Sequence, residues 1–124
     1  MKEEIKTTGA PAAIGPYSQA VKANGFIYVS GQLPINPADG SMPADVKLQT
    51  RQSLSNLTNI LLEAGANLSN VVKTTVFLAD MSLFGPMNEV YAEFFSEPFP
   101  ARAAFAVKEL PKSALVEIEA VAAL

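Results

Sequence analysis

The sequence predicts an α+β fold in which a mixed β-sheet packs on two helices. Three observations carry this. Asn24-Gly25 stands between two β-prone runs. The stretch after Asp45 repeats leucine and isoleucine at helical spacing. The C-terminal run Leu115–Ala123 alternates apolar and charged residues with the period of a strand. In chain order, residues 9–16 hold two glycines and two prolines and predict an ordered loop. Ser18–Ala23 and Phe26–Ser30 predict a hairpin closed at Asn24-Gly25, because both positions of a two-residue turn favour positive φ. Residues 31–44 carry Gly31, Pro34, Pro37, Gly40 and Pro43 and predict a second loop. From Asp45 to Ala64, Leu54, Leu57, Ile60, Leu61 and Ala64 form one helical stripe, with Asp45 suited to the N-cap and Gly65 to the residue past the C-cap. Val71–Ala79 is rich in β-branched residues and predicts a strand. A second helix falls within Phe84–Phe95, with Pro86 in its first turn and Val90, Phe94 and Tyr91 facing inward. Pro98 and Pro100 close it, Ala101–Val107 predicts a strand, Glu109–Ser113 a turn, and Leu115–Ala123 the last strand. The order ββαβαββ, with a hairpin at each end, makes one domain over residues 1–124.

Composition narrows the function. With 49% apolar and 17% charged residues, the chain has little charge for a small domain, which favours subunit contacts over a bare monomer. The net charge of −3 and the scattered lysines and arginines disfavour nucleic acid as a partner. No cysteine, no apolar stretch behind Met1-Lys2-Glu3-Glu4 and no window long enough to span a membrane predict a soluble, cytoplasmic protein. Histidine is also absent, which removes imidazole bases, Ser-His-Asp triads and ordinary zinc sites, so acid–base work falls to Glu, Asp, Tyr, Lys or held water.

In the last strand, Val116, Ile118 and Ala120 share one face, and Glu117, Glu119 and Val121 the other. Arg102 begins the preceding strand, which is expected to pair with the Glu117 strand. Its guanidinium is either in a structural ion pair with Glu117 or Glu119 or a fork for a substrate carboxylate. Tyr17, after Gly15-Pro16, is either packing or a ligand contact. Ser30-Gly31 is either a plain turn or a place where backbone N–H groups approach a ligand.

Ala12-Ala13-Ile14-Gly15-Pro16-Tyr17-Ser18-Gln19-Ala20, Val29-Ser30-Gly31-Gln32, Asn88-Glu89-Val90-Tyr91 with Phe94-Phe95, Pro100-Ala101-Arg102, Leu110-Pro111 and Val116-Glu117-Ile118-Glu119-Ala120 together resemble the RidA (YjgF/UK114) family over roughly residues 5–123. The resemblance implies a chorismate-mutase-like fold and a homotrimer with clefts between subunits. It implies hydrolysis of reactive 2-imino acids and their enamines, such as 2-aminoacrylate and 2-iminobutanoate, to 2-oxo acids and ammonia, with no metal or organic cofactor. It places the carboxylate clamp on Arg102 and the water-handling carboxylate on Glu117. Tyr17, Ser30, Gly31, Asn88 and the backbone of Ala104 become substrate contacts, and Glu119 is structural. The sequence departs from many relatives at Ala103 and Ala104, where they carry a hydroxyl residue and then a cysteine, so the pocket wall differs. Glu117 is expected to have a raised pKa if buried at a subunit seam and a lowered one beside Arg102. The alternative is a regulatory module that binds small carboxylates without turnover.

Overall fold

The computed structural model describes residues 1–124. Its elements are β1 (Glu3–Ile5), β2 (Ala20–Ala23), β3 (Phe26–Gln32), α1 (Val46–Glu63), β4 (Val71–Leu78), α2 (Phe84–Phe94), β5 (Ala101–Ala106) and β6 (Val116–Ala123). They build one six-stranded sheet in the order β1-β2-β3-β6-β4-β5. Only the β4–β5 pair is parallel; the other four pairs are antiparallel.

Local chemistry explains most boundaries. Asn24 and Gly25 both take positive φ, 53° and 79°, and close the β2–β3 hairpin. The Asp45 carboxylate accepts from the N–H groups of Lys47 and Leu48 and so caps α1. Gly65, at φ 85°, follows its C-cap. Leu54, Leu57, Ile60 and Leu61 are fully buried and form the centre of the core with Ile27, Val76, Val116 and Ile118. Each such side chain contributes about 1.5–3 kcal/mol by leaving water.

Three expectations change. Glu3–Ile5 is an edge strand that three residues of mixed character do not announce. Gly31 lies inside β3 and not in the following loop, at a bulge where Ser30 and Gly31 separate the pairs Val29–Ala120 and Gln32–Ile118. No hairpin joins β5 to β6. α2 carries the chain from β4 to a parallel β5 at the sheet edge, and β6 returns to the slot between β3 and β4. The turn before β6 holds two successive non-glycine residues in the left-handed region, Lys112 and Ser113, both at φ 57°.

Buried polar groups on α1 tie the loops to the frame. Gln49 donates from Nε2 to the Pro43 carbonyl (2.7 Å) and accepts at Oε1 from the Leu115 N–H (2.8 Å). Asn56 donates to the carbonyls of Leu33 and Ile35. The Ser53 hydroxyl, also buried, has no partner. Gln49→Ala is expected to cost roughly 1–3 kcal/mol in denaturant unfolding, because it strands two half-buried backbone groups, whereas Ser53→Ala is expected to be neutral or stabilising.

Candidate functional site

The alternation along β6 is as the sequence predicts: Val116, Ile118, Ala120 and Ala122 are buried beneath the helices, and Glu117, Glu119 and Val121 face away. Register carries these faces across the sheet, since paired residues share a side. Glu117 pairs with Phe77, which pairs with Phe105, so all three lie on the face without helices. Arg102 pairs with Thr74, which pairs with Ala120, so Arg102 lies on the helix face at the outer edge.

This corrects the expected pairing of the Arg102 and Glu117 strands. β4 separates them, because β5 is delivered by the α2 crossover to the far side of β4. Two strand spacings and three residues of offset put their Cα atoms roughly 14 Å apart. The side chains then point to opposite faces. Arg102 forms no ion pair with either Glu117 or Glu119; the two ion pairs of the chain are Lys47–Glu89 and Arg51–Glu93.

What Arg102 does touch comes from α2. Nη1 donates to Asn88 Oδ1 at 2.7 Å. The guanidinium carbon stands 4.8 Å from the Tyr91 ring centroid and 5.3 Å from that of Phe84. One of the five N–H donors of an arginine is thereby used, and the others remain for a ligand. Ala104 follows on the same face, half-buried against the core.

Glu117 lies in a second cluster. Gly31 is there because Glu117 needs the space: a Cβ at residue 31 would stand 2.6 Å from Glu117 Oε2. Ser30 is engaged in structure, its Oγ donating to the Ser18 carbonyl (2.6 Å) and its N–H to that of Gln19 (2.9 Å). These bonds hold the segment that carries Tyr17, a residue 54% exposed. Tyr17 and Gly31 line one cavity of about 550 Å³ together with Gln32, Asn36 and Lys112. Tyr17, Ser30, Gly31 and Glu117 thus gather at one place, and Arg102, Asn88 and Ala104 at another.

Burial is the main cause of a raised Glu117 pKa, and the neighbouring Glu119 charge adds to it. Of the two directions the sequence leaves open, the chain by itself takes the upward one, since Arg102 is too far away to oppose it.

Sequence reasoning passed over Gln19, which is buried and grips the N-terminal loop by accepting from the Thr7 N–H and donating to the Thr7, Ala10 and Pro11 carbonyls. It also left Phe84 without a role and gave Lys112 only a turn. For Phe84 a signal existed, as residues 84, 88 and 91 recur at i, i+4 and i+7 on one helix face.

The model of the family described as Endoribonuclease L-PSP matches residues 7–124. The chain belongs to this family, the RidA/YjgF family. A RutC family protein of Pyrococcus horikoshii is 54% identical over 98% of this chain and 98% of its own length. The mouse 2-iminobutanoate/2-iminopropanoate deaminase is 51% identical over 98% of this chain and 91% of its own. The crystal structure of E. coli TdcF with bound serine superposes with a TM-score of 0.94 at 42% identity, covering 98% of each chain. The six-stranded α+β architecture is therefore that of solved RidA/YjgF structures.

Two outcomes are expected. Gly31→Ala should leave the fold intact and rotate the Glu117 carboxylate away, seen as a shifted Glu117 carboxyl signal in NMR with a near-normal melting curve. Glu119→Gln should lower the Glu117 pKa, because a like charge is removed while burial stays; a carboxyl titration by NMR in both proteins checks the direction.

Proposed function

We propose that the chain hydrolyses 2-imino acids and their enamine tautomers to 2-oxo acids and ammonia, in clefts of a homotrimer that take Arg102, Asn88 and Ala104 from one subunit and Glu117, Tyr17, Ser30 and Gly31 from its neighbour. One observation carries this reading. The two groups the chemistry needs together are on opposite faces of the sheet in one chain, and a small imino acid cannot span them. Mammalian relatives about half identical to the chain bear the deaminase name, which favours this reaction class. The face around Glu117 also carries half-exposed aromatics, Tyr28 and Phe105, and Phe105 packs edge-on against Phe77 at 5.6 Å. A neighbouring subunit would cover them.

The steps follow from the residues. Arg102 fixes the carboxylate through parallel N–H donors and sets the electrophilic C=N carbon in place. A water beside Glu117 adds to that carbon. Glu117 takes a water proton as the C–O bond forms, and passes it to nitrogen. Glu117 then takes the hydroxyl proton of the carbinolamine and passes it to the amino group, so that the C=O bond forms as the C–N bond breaks, releasing ammonia and the 2-oxo acid. Glu117 acts as base in its ionised form, so the rate should fall as pH drops through its pKa in the assembled site, where burial and Glu119 push that pKa up and the neighbour's Arg102 opposes them. The family model bears an endoribonuclease name, but the −3 net charge and the absence of a basic track favour a small anionic substrate over RNA.

The test couples a threonine dehydratase to the protein in amine-free buffer and follows imine absorbance. Arg102→Ala should lower kcat/KM by about a hundredfold, mostly through KM, as loss of a charge-assisted fork does. Glu117→Gln should lower kcat by roughly a hundredfold or more. Co-expression of the two inactive variants decides the geometry. A site shared between neighbours restores activity in about a quarter of the sites of a randomly mixed closed oligomer, and a site within one chain restores none. Arg102-dependent binding of 2-oxobutanoate without any gain in imine decay would replace the hydrolase with a carboxylate-sensing module.

A further inference from the structure

Arg102 is a long side chain on the edge strand β5, where nothing on its own strand holds it. It is also the arginine of the chain without a carboxylate partner. Arg51 offers the contrast: it lies 5.9 Å from the Phe94 ring and is bonded through Nη2 to both oxygens of Glu93. Arg102 is surrounded instead by neutral groups from one stripe of α2, the Phe84 and Tyr91 rings and the Asn88 amide oxygen. An ion pair would fix the guanidinium equally well and cancel the charge a ligand needs. Ring faces and an amide fix its plane and leave the charge intact.

The Tyr91 ring is itself locked. It is 5% exposed, packs on Phe95 with centroids 4.6 Å apart, and its hydroxyl hydrogen-bonds Thr74 Oγ1 at 2.7 Å. Thr74 is the residue of β4 directly in register with Arg102. The strand neighbour of Arg102 therefore anchors the ring that supports it. Burial raises the phenol pKa, so the hydroxyl stays neutral and keeps this bond across the physiological range.

We propose that Phe84 and Tyr91 are positioning residues for Arg102, a two-ring cradle on α2 that holds the guanidinium plane ready for the substrate carboxylate without neutralising it. The proposal rests on the reading of Arg102 as a carboxylate clamp. Tyr91 acts through its ring, and its hydroxyl serves only to hold that ring.

The experiment measures 2-oxobutanoate binding to the full-length protein by calorimetry, which needs no turnover, beside the imine assay and circular dichroism. Phe84→Leu should weaken 2-oxobutanoate by about threefold to fivefold, the scale of a cation–π contact at an exposed arginine. In the imine assay it should raise KM and leave kcat within about twofold, because the reacting carbon is not touched. Phe84→Tyr, which keeps a ring, should restore affinity. In an Arg102→Lys background, which offers no flat face, Phe84→Leu should add little further loss. Should Phe84→Leu fail to fold, Phe84→Met takes its place with the same expectation. Normal binding by a folded Phe84→Leu or Phe84→Met protein, with binding abolished by Arg102→Ala, overturns the cradle. So does failure of the wild-type protein to bind 2-oxobutanoate. Arg102-dependent binding with no acceleration of imine decay defeats the hydrolase reading alone, and the cradle is then decided by the affinities.

Discussion

The position of β6 between β3 and β4 governs everything else in this molecule. A strand paired on both sides has no freedom of register, because a one-residue slip would turn all of its side chains over. Val116, Ile118, Ala120 and Ala122 are buried under the helices, so Glu117 and Glu119 have to face the other way. The carboxylate cluster is thus a by-product of core formation: the residues that close the core dictate, by simple alternation, where the acidic groups stand. Gly31 completes the arrangement from β3, since any side chain there would occupy the space of the Glu117 carboxylate.

The same logic places Arg102 out of reach. A parallel strand cannot follow its neighbour by a tight turn, so α2 crosses over the sheet and sets β5 down beyond β4. α2 thereby lies over Arg102, which gives the arginine its neutral surroundings from Phe84, Asn88 and Tyr91 and keeps it away from both acidic residues of β6. Crossover and alternation together divide the candidate residues into a cationic group on the helix face and an acidic group on the bare face.

Much of this architecture can be read in the sequence, and the reasons differ by element. The Asn24-Gly25 turn, the Asp45 cap, the α1 stripe and the β6 alternation are local patterns that burial enforces, and they stand where expected. Which strands neighbour each other is not local. Reading β5 and β6 as a hairpin follows from their closeness in sequence, yet the pairing is decided by where α2 crosses and which slot β6 fills. The site residues show the same divide. Arg102 and Glu117 stand out by residue type and strand position, but their placement on opposite faces requires the register. The three-residue strand β1 has too little pattern to detect. The hydrogen bonds of Gln19 and Gln49 reach far along the chain and leave no mark in their own neighbourhoods.

The charges suggest why the division persists. Within one chain, Arg102 has no anion and Glu117 no cation, and Glu117 is further burdened by its own burial and by Glu119. A fold selected for the stability of the single chain would pair such groups or leave them to water. Here neither is neutralised: Arg102 is exposed and stands against aromatic rings, and Glu117 is half-buried against a glycine. Bringing the two faces together across a subunit seam would place the cation opposite the carboxylate around a space that neither fills. A ligand carrying both a carboxylate and an electrophilic carbon would satisfy them at once. On that reading the tension within the chain would be relieved by assembly and by substrate, which is the condition for binding energy to be used in catalysis and not in folding.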